Sequence, residues 1–90
     1  ESLAWTLRLS ETAKRQLKKL DPSNAQQILR YLNRLVHETS DPRERGSGLR
    51  ANLAGMWRYR VGDYRVICSF EEHELVILVL QIGHRRDVYK

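Results

Sequence analysis

The 90-residue chain is poor in cysteine, proline and aromatic residues, which excludes several classes of protein at once. A lone cysteine, Cys68, rules out an intrachain disulfide and a Cys-rich metal site. With two prolines, five glycines and no repeat or low-complexity stretch, nothing divides the chain, and a single domain over residues 1–90 is expected. The longest apolar run, Leu75 to Leu80, has six residues. A membrane-spanning helix needs roughly 20. His37, His73 and His84 lack zinc-like spacing, and no Walker loop or dinucleotide fingerprint occurs, so neither a metal nor a cofactor is expected. No pair of carboxylates suggests an acid/base site. The chain starts at Glu1 with no signal-peptide pattern, and a cytoplasmic protein without a membrane partner is the expectation.

What is present is a foldable, basic sequence. Hydrophobic residues make up 41% and charged residues 30%, which argues against disorder. Sixteen Lys and Arg against eleven Asp and Glu give a net charge of +5, suited to RNA, DNA or an acidic protein. Leu3 to Leu9 alternates as a strand. Ser10 can cap a helix over 11–20, with Ala13, Leu17 and Leu20 on one side. Asp21-Pro22 ends that helix and starts another, running to about Glu38, whose apolar stripe is Ala25, Ile28, Leu29, Leu32, Leu35 and Val36. Residues 39–55 read as a long basic loop carrying Arg43, Arg45 and Arg50, with one short turn near Leu49–Leu53. Three strands follow, over Met56–Val61, Tyr64–Phe70 and Leu75–Ile82. The predicted fold class is α+β: an N-terminal strand, a helical hairpin and a three-stranded antiparallel meander, with the helices on one face of the sheet.

Gly62-Asp63 between the first two strands of the meander fits a two-residue type II′ turn, which fixes the register. Trp57, Tyr59, Val61, Tyr64, Val66 and Cys68 then share one face, apolar enough to lie under the helices. Met56, Arg58, Arg60, Arg65, Ile67 and Ser69 share the other. Arg60 directly opposite Arg65 is unfavourable unless an anion or nearby Asp63 and Glu71–Glu74 offset it. Guanidiniums offer paired donors to phosphate oxygens, so the three arginines are candidate phosphate ligands. The tail, Gly83-His84-Arg85-Arg86-Asp87-Val88-Tyr89-Lys90, adds basic residues that could reach the same anion. His84 and Tyr89 are its candidate proton carriers. RNA brings its own nucleophile, the 2′-hydroxyl, so a cationic site that aligns it and neutralises charge could cleave RNA without a metal, giving a 2′,3′-cyclic phosphate and a 5′-hydroxyl.

The stretch Leu53–Val66, LAGMWRYRVGDYRV, resembles the central signature of the RelE toxins of the RelE/ParE superfamily, and Gly83–Tyr89 resembles their C-terminal signature. Leu49-Arg50 and the N-terminal strand with its helical hairpin extend the likeness over nearly the whole chain. The resemblance implies a RelE-like fold and the toxin of a type II toxin–antitoxin pair, an endoribonuclease that cleaves messenger RNA in the ribosomal A site. It also implies a cognate antitoxin that neutralises it, and contact with operator DNA only through the antitoxin complex. By position, Arg65 and Arg85 match arginines that contact the scissile phosphate, and Tyr89 matches a tyrosine that stacks on substrate or assists proton transfer. Arg58 and Arg60 stand where active members carry lysines, one of them proposed as general base, and His84 stands where lysine is frequent. His84 or Tyr89 is therefore the expected proton carrier. Arg43, Arg45, Arg50, Arg86 and Lys90 are the expected accessory RNA contacts. Two other outcomes are a ParE-like toxin that poisons DNA gyrase and a toxin-like module that binds an antitoxin without catalysis.

Overall fold

The computed structural model describes residues 5–87. Strand β1 (Thr6–Leu9) leads into helix α1 (Glu11–Lys19) and helix α2 (Pro22–Glu38). A 3-10 turn at Pro42–Glu44, a short strand β2 (Ser47–Gly48) and a second 3-10 turn at Ala51–Leu53 follow. The chain closes with β3 (Trp57–Val61), β4 (Tyr64–Glu71) and β5 (Val76–His84). The five strands lie in the order β1-β5-β4-β3-β2, with β1 parallel to β5 and the other neighbours antiparallel. The architecture is α+β with the helices packed on one face of the sheet, as the sequence pattern predicts. Two details depart from that pattern. The basic loop contributes β2, which pairs Ser47 with Arg58 and Gly48 with Trp57. β5 continues to His84 rather than stopping at Ile82. The part of the expected first strand before Trp5 lies outside the described residues.

Both helices start where the sequence says. The Ser10 hydroxyl accepts the Ala13 N–H at 3.0 Å, capping α1. It also donates to the Leu80 carbonyl at 3.0 Å. Asp21 occupies the N-cap of α2 but makes no side-chain bond to the helix backbone; its carboxylate accepts from the Ser23 hydroxyl at 2.6 Å. Ile28, Leu32 and Leu35 are fully buried, the i, i+4, i+7 seam of an amphipathic helix. Leu29, expected in that seam, is 39% exposed. It sits one helical step off the seam's axis, and Tyr31 packs against the core from the other flank instead.

The core lies between this seam and the sheet residues Tyr59, Val61, Val66, Cys68, Ile77, Val79 and Ile82. The β3–β4 register is the one a two-residue turn imposes, from Val61 opposite Tyr64 to Trp57 opposite Cys68. Gly62 has φ +59°, and Asp63 is not among the residues with positive φ, which is the II′ pattern. Burial pushes the Cys68 thiol up to about 12 from an ordinary 9.0. Between those values the folded chain retains a proton that the unfolded chain has released, so this thiol lowers stability as pH rises through that window, by at most about 1.4 kcal/mol per pH unit. Iodoacetamide at mildly alkaline pH should leave the native thiol unlabelled and modify it in denaturant; rapid labelling of the native protein would contradict the burial.

Loop residues 39–55 are pinned rather than solvated throughout. The Tyr59 hydroxyl donates to the Pro42 carbonyl at 2.6 Å, and the Trp57 indole N–H to the Arg45 carbonyl at 2.6 Å. Both bonds need the chain to pass tightly over β3, which it does at Gly46, with φ +76°. A Cβ there would lie 2.4 Å from the Arg58 carbonyl oxygen and 2.8 Å from both aromatic rings. The Gly46→Ala protein should lose at least about 1 kcal/mol in denaturant melts, since backbone must move to admit the methyl. An unchanged midpoint would show that the loop is not held against β3.

Candidate nucleic-acid interface

Strand alternation separates the two faces of the sheet and decides which basic residues can meet. Arg58, Arg60 and Arg65 project from the face opposite the helices, with Arg60 directly across from Arg65. Among the described residues none of the three has a carboxylate within ion-pair distance. Asp63 and Glu71–Glu74, which could have offset them, do not: Glu72 pairs with Arg43 instead. Arg65 is half-buried, and its Nη1 donates to the carbonyls of Tyr64 at 3.0 Å and Gly62 at 3.3 Å. The turn that fixes the register thus also holds the guanidinium. Arg58 is half-buried too, and its Nε–H is buried without a hydrogen-bond partner among the described residues. Arg60 is exposed and also lines a cleft of about 280 Å³ at the free edge of β3, beside Arg30, Arg34 and Tyr31.

The tail folds back on the same turn. The Arg85 N–H donates to the Asp63 carbonyl at 2.8 Å, bringing the Arg85 backbone to the corner where Arg65 is anchored. Gly83, the register partner of Arg65, has no side chain to place beside it. His84 goes elsewhere. It pairs with Tyr64 on the helix side of the sheet, its ring edge-on to the Tyr64 ring at 5.7 Å, and its Nδ1 accepts the Arg86 N–H at 3.2 Å. His84, expected as a candidate proton carrier, thus emerges on the other face from Arg65, because β5 runs on to residue 84 and alternation puts Gly83, not His84, beside that arginine.

Arg43 and Arg45 are likewise apart from the three arginines. Arg43 bonds Asp41 and Glu72 and lies over the Phe70 ring at 5.0 Å, on the Trp57 side of the sheet. The Arg43 backbone N–H holds the Asp41 carboxyl below the usual carboxylate range. Arg45 lies 3.8 Å from Glu38. Arg50 is exposed at the start of the turn Ala51–Leu53, and Arg86 is exposed after β5. Tyr89 and Lys90 lie outside the described residues.

A groove of about 640 Å³ on the arginine side was not legible in the sequence. It is lined by Thr12, Asn52, Leu53, Met56, Ile67, Leu80 and Gln81. Ile67 is only 4% exposed, although it faces away from the helices. Its register partners are Arg58 on β3 and Gln81 on β5. A β-bulge makes this possible: Ile67 pairs with Gln81 while Cys68 pairs with Val79, so Leu80 is an extra residue. Among the described residues no group of three or more His, Cys, Asp or Glu side chains is placed to hold a metal ion.

The family model of the ParE toxin of type II toxin–antitoxin systems matches residues 7–89. The chain belongs to that family. The toxin is 28% identical to Toxin RelG of Mycobacterium tuberculosis over 88 residues, 98% of this chain and 99% of that one. Its fold is similar to a chain of the M. tuberculosis RelBE2 toxin–antitoxin complex, with a TM-score of 0.73, 29% identity and 97% and 98% of the two chains covered. The archaeal RelE–RelB complex of Pyrococcus horikoshii gives a TM-score of 0.70 at 21% identity, covering 96% and 100%. Free E. coli RelE, in a mutant form, gives 0.77 at 19%, covering 96% and 88%. The toxin is thus of the RelE/ParE superfamily that its motifs suggest. The matching family model carries the ParE name and these relatives carry Rel names, so the comparisons do not choose between a RelE-like and a ParE-like toxin.

Proposed function

We propose that this toxin acts by gripping a nucleic-acid phosphate on the open face of its sheet, and that its target is messenger RNA in the ribosomal A site. The observation that carries the reading is three arginines on one face, none with a carboxylate partner among the described residues. A phosphate between them would relieve the Arg60–Arg65 repulsion and accept paired donors. Arg65 is the best placed to stabilise charge building on the nonbridging oxygens, because its guanidinium is already held by two carbonyls. Arg85, anchored at the same turn, is the second candidate. The RNA supplies the 2′-hydroxyl nucleophile, and the products are a 2′,3′-cyclic phosphate and a 5′-hydroxyl. With His84 across the sheet, proton transfer falls to Tyr89.

A cognate antitoxin would neutralise the toxin, in keeping with the toxin–antitoxin complexes of the M. tuberculosis and P. horikoshii relatives. Operator DNA would be met only through that complex. A second reading, poisoning of DNA gyrase, is favoured by the match of the ParE family model to nearly the whole chain and by the absence of His84 from the arginine face. Site chemistry favours the first and family match the second, and one assay separates them. After expression in cells, primer extension on translated messages should show cuts at codon-defined positions. DNA damage without such cuts would instead establish the gyrase reading. Neither effect, from a folded protein that still binds its antitoxin, would leave a binding module.

A further inference from the structure

We propose that the groove beside the arginines seats a nucleobase, whose edge is read by the side-chain amides of Asn52 and Gln81. The inference rests on the phosphate-gripping face and names the part of the ligand next to the phosphate. Four observations carry it. First, the groove has an apolar floor, with Ile67, Met56 and Leu80 among its lining, and a few polar groups at its walls. That is the composition of a site for a flat, mostly apolar ligand with specific edges. Second, neither amide has a hydrogen-bond partner among the described residues, although Gln81 is half-buried. An amide presents a donor and an acceptor side by side, the pattern that pairs with a base edge.

Third, the register ties groove and arginines together. Ile67 stands opposite Arg58 on one side and Gln81 on the other. Arg65 lies two residues back on the same strand and face, roughly 7 Å away. A nucleotide gripped on the arginine face would therefore have the groove beside it on the same side of the sheet. Fourth, Arg58 stands opposite the groove residue Ile67, and its buried Nε–H has no acceptor among the described residues. Reorientation of the guanidinium on binding would give that donor an acceptor on the nucleotide. The bulge at Leu80 makes the arrangement possible, since it puts both Leu80 and Gln81 on the groove where strict alternation would admit one.

The test is an NMR titration of the whole chain with ribose 5-phosphate, the four nucleosides and the four nucleoside 5′-monophosphates. At least one nucleotide should bind about tenfold more tightly than ribose 5-phosphate and shift the Ile67 and Met56 methyl signals. Asn52→Ala and the volume-conserving Gln81→Met should each lose that advantage and keep ribose 5-phosphate binding. Nucleotides no tighter than ribose 5-phosphate would overturn the base seat and leave the phosphate reading standing. Nucleosides that bind while ribose 5-phosphate does not would do the reverse. An advantage kept in both amide variants, or equal for all four bases, would overturn the readout by Asn52 and Gln81, and failure of every ligand to bind would overturn both readings.

Discussion

Arg65→Ala should abolish cleavage of translated messages, with a loss of about 10²–10³ in rate, the cost of deleting one preorganised donor at a site of developing charge. The fold should survive. Arg65 is half-buried, it stands opposite a like charge, and its own bonds go to two carbonyls at a turn, so the melting midpoint should move by no more than about 1 kcal/mol. Removing one phosphate-neutralising charge should also reduce the slope of log affinity against log salt by about 1. Arg65→Lys keeps the charge but not the planar fork, and should fall between wild type and alanine. A folded alanine variant that cleaves at the wild-type rate would remove Arg65 from the mechanism and take the phosphate clamp with it.

The largest stability effect should come from Tyr59. This side chain is fully buried in the core, and its hydroxyl reaches the buried Pro42 carbonyl at 2.6 Å. Burial also pushes its phenol well above the ordinary tyrosine range, so the hydroxyl keeps its proton and remains a donor. Truncation to alanine should cost about 3–5 kcal/mol. Tyr59→Phe is the sharper experiment. It keeps the ring and leaves one carbonyl without its donor, so the loss should be about 1–3 kcal/mol. For a domain of this size each kcal/mol lowers the melting temperature by roughly 4–8 °C. A phenylalanine variant that melts with the wild type would show that the loop from Pro42 to Gly46 is held by something other than this bond.

The parts of the fold legible in the sequence were those set by short-range rules. A two-residue turn at Gly62 fixed the register, and the register fixed which face carries Arg58, Arg60 and Arg65. Ser10 and Pro22 marked the helix starts because capping and proline geometry act within a turn of the chain. What stayed hidden depended on contacts between distant segments. The bond from Tyr59 to Pro42 spans seventeen residues, and it makes an apparent solvated loop into a strap. The bulge at Leu80 reflects how β5 fits against both β4 and α1, and alternation alone cannot reveal it. Without it, neither the groove nor Gln81 could be placed. His84 lies away from the arginines for a simpler reason: the strand continues two residues past Ile82, and two steps bring a side chain back to the face of Ile82, the helix side. Tyr31 replaced Leu29 at the helix seam because neighbours one step apart differ by about 100° around the axis.

β5 runs beyond the end of β1, which pairs with it only from Val76 to Val79. The stretch that follows is covered by α1: Ser10 takes the Leu80 carbonyl, and the Gln16 side-chain carbonyl accepts the Ile82 N–H at 2.6 Å. This is the segment that continues the most apolar run of the chain, the one best suited to seed cross-β stacking between molecules. While the protein is folded, two borrowed side chains occupy the ladder positions a foreign strand would need. Aggregation should therefore track the population of opened molecules rather than native concentration, and a toxin stored in its folded form is guarded by one serine and one glutamine.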